Sequence, residues 1–285
     1  MKLHSLMFVL PNLFTASSIL CGFYALTLCS AAHVPPAAFY QAALAIFFGI
    51  FFDGFDGRVA RLTRTQSQFG VQLDSLADVV TFGVAPALLL YKWALEPLGI
   101  WGILIAFFFL LCGALRLARF NVLAQRATSP KTKTSTFFVG LPIPLAAGVV
   151  VSWVFVAHED IQKLAVWGLS AHTLAASATL FLALLMVSTV RYRTFKELRI
   201  HRKSILCVLA MLLVGLCVSF VWHPGWVLVV YFSAYLLFGL LESLLFWVGG
   251  PERAASLSGL APLEEKLVVE QGELPEGEEG DEALG

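Results

Sequence analysis

The feature that most constrains this fold is a long stretch without charge near the N-terminus. From Leu3 to Phe52 the chain contains no Asp, Glu, Lys or Arg. A helix needs about 20 mostly apolar residues to cross a bilayer, so this stretch is long enough for two crossings. Over the whole chain 59% of residues are hydrophobic and 13% are charged, against roughly 25% charged in a soluble domain. These values indicate a multi-spanning helical membrane protein and exclude a soluble globular enzyme, a disordered protein and a nucleic-acid-binding module.

The apolar runs predict an all-α membrane helix bundle of about eight transmembrane helices. Proline, glycine or charged residues separate the runs, as in Glu96-Pro97 and His223-Pro224-Gly225. We interpret the first run as a membrane helix rather than a removed signal peptide. The predicted spans are residues 8–30, 36–55, 73–92, 98–118, 138–157, 166–189, 204–222 and 225–248.

The distribution of lysine and arginine predicts the orientation. If the N-terminus is cytoplasmic, seventeen of these residues fall on the cytoplasmic side, and only Lys92 and Lys163 fall outside. Cytoplasmic loops normally carry this excess, so both termini and the three basic loops are expected in the cytoplasm. The net charge of zero hides a tail, residues 251–285, that is rich in Glu and Gly and carries −8. Its composition predicts a disordered cytoplasmic segment.

Four aspartates follow the uncharged stretch within 26 residues. Asp53 and Asp56 are i, i+3 at the end of the second predicted span, and Asp74 and Asp78 are i, i+4 at the start of the third. Each pair therefore lies on one helix face, and the short connection lets the two faces meet at the cytoplasmic boundary. Four converging carboxylates repel one another unless cations neutralise them, and hard oxygen ligands suit Mg²⁺, Mn²⁺ or Ca²⁺. Because acidic side chains near membrane depth are usually functional, we predict a metal site.

Small residues and an arginine lie among these aspartates. Gly57, Ala60 and Gly70 allow close approach of a ligand or a neighbouring helix. Arg61 is suited to pairing with a phosphate. Metal-binding carboxylates together with arginine indicate a phosphate-bearing substrate. The alternative, interfacial charges balanced by arginine, accounts for one Asp–Arg pair but not for four carboxylates at this spacing.

The same segment resembles the signature of the CDP-alcohol phosphatidyltransferase family, with all eight signature positions filled. The matching pattern is Asp53-x₂-Asp56-Gly57-x₂-Ala60-Arg61-x₈-Gly70-x₃-Asp74-x₃-Asp78. The resemblance implies a six-helix catalytic domain in residues 1–200. Residues 201–250 would then add two further transmembrane helices before the acidic tail.

The resemblance also implies an activity and roles for individual residues. Members of the family transfer a phosphatidyl or similar group from a CDP-linked donor to an alcohol and release CMP. By resemblance, the divalent metal, Mg²⁺ or Mn²⁺ and two ions in number, would be held by Asp53, Asp56, Asp74 and Asp78. Asp78 would also be the catalytic base that takes the proton of the acceptor hydroxyl. The implied donor-binding residues are Asn12, Thr15, Gly57, Ala60, Arg61 and Gly70.

Other segments are similar to the phosphatidylserine synthase branch of the family. They are Gln72–Asp78, Arg116–Asn121, Gly140–Pro144 and Arg191–Lys196. This resemblance implies CDP-diacylglycerol and L-serine as substrates, membrane lipid and a second copy of the chain as partners, and no nucleic acid. It also implies the cytoplasmic membrane of a prokaryote, with the active site on the cytoplasmic face. Arg116 and Arg119, spaced i, i+3, would bind the carboxylate of serine.

Two alternatives stay open from the residues themselves. The same chemistry with another acceptor, such as glycerol 3-phosphate, inositol phosphate or choline, would use the same aspartates, and Arg116 and Arg119 would also suit a phosphorylated acceptor. A cation- or proton-coupled transporter also places acids in the membrane. A transporter predicts acids spread over several helices near the midplane, whereas here they cluster at one end of two adjacent spans.

Overall fold

The part of the chain that the structure describes is almost entirely helical, as the apolar pattern predicts. The computed structural model describes residues 3–63, 65, 67–126, 137–159, 161, 170–188, 190–193, 225–237 and 239–240. Residues up to Leu237 form one compact unit, and residues 239–240 belong to a second unit that begins at Phe238. The helices are α1 (Leu3–Cys29), α2 (Pro36–Leu62), α3 (Gln68–Asp78), α4 (Ala85–Leu90), α5 (Ile100–Arg126), α6 (Ile143–Ala157), α7 (Ala171–Val187) and α8 (Gly225–Leu237).

Among the described residues, four helical stretches are long and apolar enough to cross a bilayer. They are Pro11–Cys29 within α1, Pro36–Leu62, Gln68–Leu98, and Ile100–Leu123 within α5. Helices α6, α7 and α8 are apolar but shorter, with described lengths of 15, 17 and 13 residues. These features confirm a membrane helix bundle. The total of eight spans stays a prediction, because residues 204–222 and 241–248 of the last two predicted spans lie outside the described residues.

The predicted third span is a composite helix, and its two prolines explain why. Between α3 and α4 the residues Val79–Val84 are π-helical, and Tyr91–Leu95 form a second π segment. The first π segment ends two residues before Pro86, and the second ends two residues before Pro97. Since proline has no N–H and its ring clashes with the carbonyl four residues earlier, the preceding turn widens.

Hydrogen bonds show this widening directly. The backbone N–H of Ala85 donates to Val80 O, and that of Glu96 donates to Tyr91 O, each five residues back. The helix continues through both wide turns and ends in a short 3₁₀ segment, Glu96–Leu98. It stays continuous across the bilayer but changes its winding directly after Asp78.

Small residues bring α1, α2 and the first π segment together. Thr81 Oγ1 donates to Ser18 O at 2.9 Å, and Ser18 Oγ donates to Gly49 O at 3.2 Å. A methyl group on Gly22 would lie 2.8 Å from Thr81 Oγ1, and one on Gly49 would lie 2.6 Å from Thr81 Cγ2. Close backbone approach is the usual way helices associate in lipid, where burial of apolar surface gives no advantage.

A short antiparallel ladder joins two segments far apart in sequence. Strand β1 (Phe137–Val139) pairs with β2 (Arg191–Arg193), with Phe138 opposite Tyr192. Gly140, at φ 84°, then turns the chain toward α6, and its N–H donates to Val190 O at 2.8 Å. Helix α6 begins directly afterwards at Ile143 with Pro144 in its first turn, as expected for a proline near a helix start.

Candidate metal and phosphotransfer site

The four aspartates come together where α2 ends and α3 begins. Asp53 and Asp56 lie near the C-terminal end of α2, and α1 packs against both α2 and α3. Carboxylate oxygens of Asp53, Asp56 and Asp74 all lie within 4.8 Å of one another. The predicted convergence of the two helix faces is therefore present in the structure for these three residues.

Asp78 lies one helical turn after Asp74, at the C-terminal end of α3. It is only 9% exposed, and its carboxylate lies within hydrogen-bonding reach of Asp53. It also acts electrostatically on Asp74, but it is not one of the three residues that form the compact oxygen cluster. Asp78 is thus next to the cluster rather than at its centre.

The donor atoms fit a hard divalent cation. Asp74 Oδ1 and Asp78 Oδ1 are buried and have no hydrogen-bond partner within the described residues. None of the four aspartates forms a salt bridge with a described cationic side chain. Carboxylate oxygens at this density suit Mg²⁺ or Mn²⁺, and four clustered carboxylates without a salt bridge to a described residue would otherwise be strongly unfavourable in the membrane. The acidic cluster therefore has the composition and the unsatisfied atoms of a metal centre.

Helix α1 contributes two of the residues that the family resemblance singled out. Thr15 is 4% exposed, and its Oγ1 donates to Asp56 Oδ2 at 2.7 Å. A methyl group on Gly70 would lie 3.5 Å from Asn12 Oδ1, so Asn12 faces the start of α3. Ser67 caps that start, accepting a hydrogen bond from Gly70 N at 3.0 Å. Thr15 orients a cluster carboxylate, and Asn12 and Gly70 lie together at the edge of the site.

The remaining small residues and Arg61 lie on the last turns of α2. The Arg61 side chain is exposed and acts electrostatically on Asp56. A methyl group on Gly57 would lie 3.6 Å from Arg61 Nη1, so the guanidinium lies over Gly57. Ala60 is half-buried on the same segment. This edge of the cluster combines an accessible cation with little side-chain bulk.

The two arginines of α5 differ in their surroundings. Arg116 is 8% exposed, acts electrostatically on Asp78 and has its guanidinium carbon 5.6 Å from the ring centre of Phe120. Its Nε has no hydrogen-bond partner within the described residues. Arg119 is exposed. The structure thus brings Arg116 close to the candidate base, whereas Arg119 lies nearer the surface.

Two polar residues beside the aspartates were not predicted to have a role. Asn121 Nδ2 donates to Ser75 Oγ at 2.8 Å, and Thr81 bonds to α1 as described above. Ser75 and Thr81 lie on either side of Asp78 in sequence. The available signal was their polarity inside or next to apolar spans, but polarity alone does not identify a partner on another helix.

The fold and site define a class of protein: a membrane-embedded helix bundle with a carboxylate cluster suited to metal-assisted phosphate chemistry. Residues 8–186 match the family model described as CDP-alcohol phosphatidyltransferase. The match covers more than half of the chain, and the chain belongs to this enzyme family.

Curated relatives narrow the comparison. A Helicobacter pylori protein is 37% identical over 242 residues, which cover 85% of this chain and 94% of that protein. A Bacillus subtilis protein is 35% identical over 66% of this chain and 92% of its own length. A Methanocaldococcus jannaschii protein is 34% identical over 69% of this chain and 81% of its own. Each is named CDP-diacylglycerol–serine O-phosphatidyltransferase, and the family resemblance deduced from the aspartate motif is confirmed.

Proposed function

We propose that this protein transfers a phosphatidyl group from CDP-diacylglycerol to the hydroxyl of L-serine, giving phosphatidylserine and CMP. The observation that carries the chemistry is the convergence of Asp53, Asp56 and Asp74 within 4.8 Å at one end of a membrane helix bundle. The choice of serine is supported by the names of the relatives and by the buried Arg116 beside Asp78.

The four aspartates would hold divalent metal, Mg²⁺ or Mn²⁺, as two ions. When bound, the metal would supply positive charge to the donor pyrophosphate and to the departing CMP. Thr15 keeps Asp56 oriented through its 2.7 Å hydrogen bond. Arg61, accessible above Gly57, would bind the donor phosphates, and Asn12, Ala60 and Gly70 would border the nucleotide.

Asp78 would act as the base. Its unpartnered Oδ1 is available to accept the proton of the serine hydroxyl. The serine oxygen then forms a bond to the phosphorus of the phosphatidyl group, the bond from that phosphorus to the oxygen of CMP breaks, and CMP leaves with the electron pair. Burial of the carboxylate limits access of water, which would otherwise hydrolyse the donor.

Arg116 would bind the carboxylate of serine. A serine that places its hydroxyl at Asp78 would bring its carboxylate toward the Arg116 guanidinium, because the two groups belong to one small amino acid. The unpartnered Nε of Arg116 is a donor suited to a carboxylate oxygen. Arg119, more exposed, would support the same interaction from the next turn.

We place the enzyme in the cytoplasmic membrane of a prokaryote, as a homodimer with the site on the cytoplasmic face. The orientation is supported by the seventeen Lys and Arg residues on the side of the aspartates, against two on the other. Accessibility of cysteines introduced at Arg58 and Pro97 tests this, because only the first should react from the cytoplasm. Light scattering of the detergent-solubilised protein tests the dimer.

The deciding experiment is an acceptor panel on purified protein. CDP-diacylglycerol with Mg²⁺ or Mn²⁺ is offered serine, glycerol 3-phosphate, inositol 1-phosphate or choline separately, and CMP and the lipid product are measured. We expect phosphatidylserine with serine alone. Release of CMP with a different acceptor would contradict the assignment of serine, and no release from folded protein would favour a transporter.

A further inference from the structure

Asp78 lies between two hydrogen bonds that tie its helix to opposite neighbours. On one side, Asn121 Nδ2 of α5 donates to Ser75 Oγ at 2.8 Å. On the other side, Thr81 Oγ1 donates to Ser18 O of α1 at 2.9 Å. Ser75 and Thr81 are each three residues from Asp78, so the two bonds bracket less than two helical turns.

We propose that Thr81 and Asn121 are positioning residues, which hold the aspartate-bearing turn of the third span in register with α1, α2 and α5. The proposal rests on the proposed function and adds to it two residues that do not touch the reacting atoms. Three further observations support it.

The first concerns Thr81, which is completely buried and lies in the π segment. A wide turn loses the regular bonding that would otherwise define where the helix sits. The close approach of Thr81 to Gly22 and Gly49 packs this turn tightly against α1 and α2. The threonine therefore restores a defined register directly after the catalytic aspartate.

The second concerns the geometry of α5. On α5, Asn121 and Arg116 are five residues apart. On α3, Ser75, which bonds to Asn121, and Asp78, which interacts electrostatically with Arg116, are three residues apart. Asn121, the later of the two α5 residues, bonds to Ser75, the earlier of the two α3 residues. This order is the one expected for consecutive membrane spans that run in opposite directions. The hydrogen bond and the electrostatic interaction are thus consistent with one alignment of the two helices.

The third concerns the amide of Asn121. Ser75 Oγ donates its proton to Val71 O at 3.1 Å, so toward Asn121 it acts as the acceptor. This fixes which end of the amide faces Ser75. A substitution that removes the N–H breaks the link even when the side chain keeps its size.

Thr81→Val tests the first contact, because valine keeps the shape of threonine and lacks the hydroxyl. A misplaced catalytic group costs up to about 10²-fold in rate, so we expect kcat to fall by about 10- to 100-fold while the KM for both substrates stays near wild type. Thr81→Ser, which keeps the hydroxyl, should recover most of the lost kcat. The matched control is Thr179→Val, since Thr179 is also fully buried but, among the described residues, its hydroxyl bonds within α7, to Ala175 O.

Asn121→Leu and Ser75→Ala test the second contact. Each should lower kcat, and the double variant should be no worse than the poorer single variant, because both remove the same bond. Ser177→Ala is the control, since that hydroxyl bonds to Leu174 O of its own helix. Additive losses in the double variant would overturn the link between Asn121 and Ser75.

Binding of Mn²⁺, followed by electron paramagnetic resonance on substrate-free protein, gives a readout independent of turnover. Thr81→Val should weaken Mn²⁺ binding by about 10-fold, because the α3 carboxylates lose their alignment with those of α2. Wild-type kcat and Mn²⁺ affinity in Thr81→Val, or no recovery in Thr81→Ser, would overturn the proposal for Thr81. A wild-type protein that releases no CMP with serine would instead overturn the proposed function, while Mn²⁺ binding would still test the positioning.

Discussion

The two ends of the span Gln68–Leu98 differ in how their charged side chains are paired. Near its C-terminal end, Lys92 Nζ lies 2.9 Å from Glu96 Oε1, an ion pair at i, i+4. Near its N-terminal end, Asp74 and Asp78 have the same i, i+4 spacing but are both acidic, and α2 brings two more acids toward them. One end is neutralised by its own chain, whereas the other accumulates negative charge.

This difference shows that spacing along one helix does not distinguish a structural pair from a site. The distinction comes from the neighbouring helix, since α2 presents Asp53 and Asp56 where a structural pair would require arginine or lysine. Charge of one sign persists at such a place when an external ion offsets it. The following predictions test this contrast, from the aspartate end to the lysine–glutamate end.

The largest effect is expected for Asp78→Asn. The amide cannot accept the serine proton, and loss of a general base lowers turnover by about 10²- to 10⁴-fold. Binding of CDP-diacylglycerol should stay largely intact, as measured by isothermal titration in detergent. Wild-type turnover in this variant would remove Asp78 as the base.

Asp53→Asn should reduce activity and metal affinity together. Even residues that only support metal ligands cost about 10- to 100-fold in affinity, and Asp53 contributes an oxygen to the cluster itself. A titration of activity against Mn²⁺ should therefore shift to higher concentration by at least that factor. An unchanged titration curve would contradict a role for Asp53 in the metal site.

Arg116→Ala should raise the KM for serine more than the KM for the donor. Hydrogen bonds to charged groups contribute about 1.5–3 kcal/mol, which corresponds to roughly 10- to 100-fold. Arg119→Ala should have the smaller effect of the two because that side chain is exposed. The two KM values measured side by side give the ranking, and the reverse order would assign the acceptor carboxylate to Arg119.

Thr15→Val should cost less, since it removes one hydrogen bond to Asp56 while leaving the carboxylate in place. A net loss of about 1 kcal/mol corresponds to roughly fivefold in rate or metal affinity. Thr15→Ser should retain activity. Equal activity of the serine and valine variants would show that the hydroxyl does not orient Asp56.

The smallest effect is expected at the other end of the span. Glu96→Gln breaks the ion pair with Lys92, and an exposed pair contributes about 0–1 kcal/mol. Turnover and metal dependence should match the wild type, and thermal stability in detergent should change only slightly. A loss of turnover comparable to that of Asp53→Asn would erase the contrast between the two ends.

The sequence predicted which aspartates come together better than it predicted the hydrogen bonds that hold them in place. Helical spacing placed each aspartate pair on one face, and the short connection between spans predicted the meeting of Asp53 and Asp56 with Asp74. Thr15 and Asp56, which share a hydrogen bond, are 41 residues apart in sequence, and only the family resemblance indicated a role for Thr15. Local patterns report the face of a helix but not the helix that lies opposite.

Other features escaped prediction for identifiable reasons. The second membrane span was predicted to end at residue 55, whereas helix α2 continues to Leu62, because charge ends an apolar run without ending a helix. The different burial of Arg116 and Arg119 depends on packing around α5, which their shared spacing does not reveal. The pairing of Phe137–Val139 with Arg191–Arg193 joins segments separated by two helices, and neither segment is long enough to signal a strand.

The two prolines of the third span make its sequence intolerant of small changes in length. Each wide turn accommodates an additional residue relative to a regular α-helix, so the rotational phase of everything beyond it depends on where the proline stands. Deleting one residue between Asp78 and Pro86 would turn the carboxylates by about 100° relative to the rest of the span. The orientation of the carboxylates thus depends on the number of residues between Asp78 and Pro86.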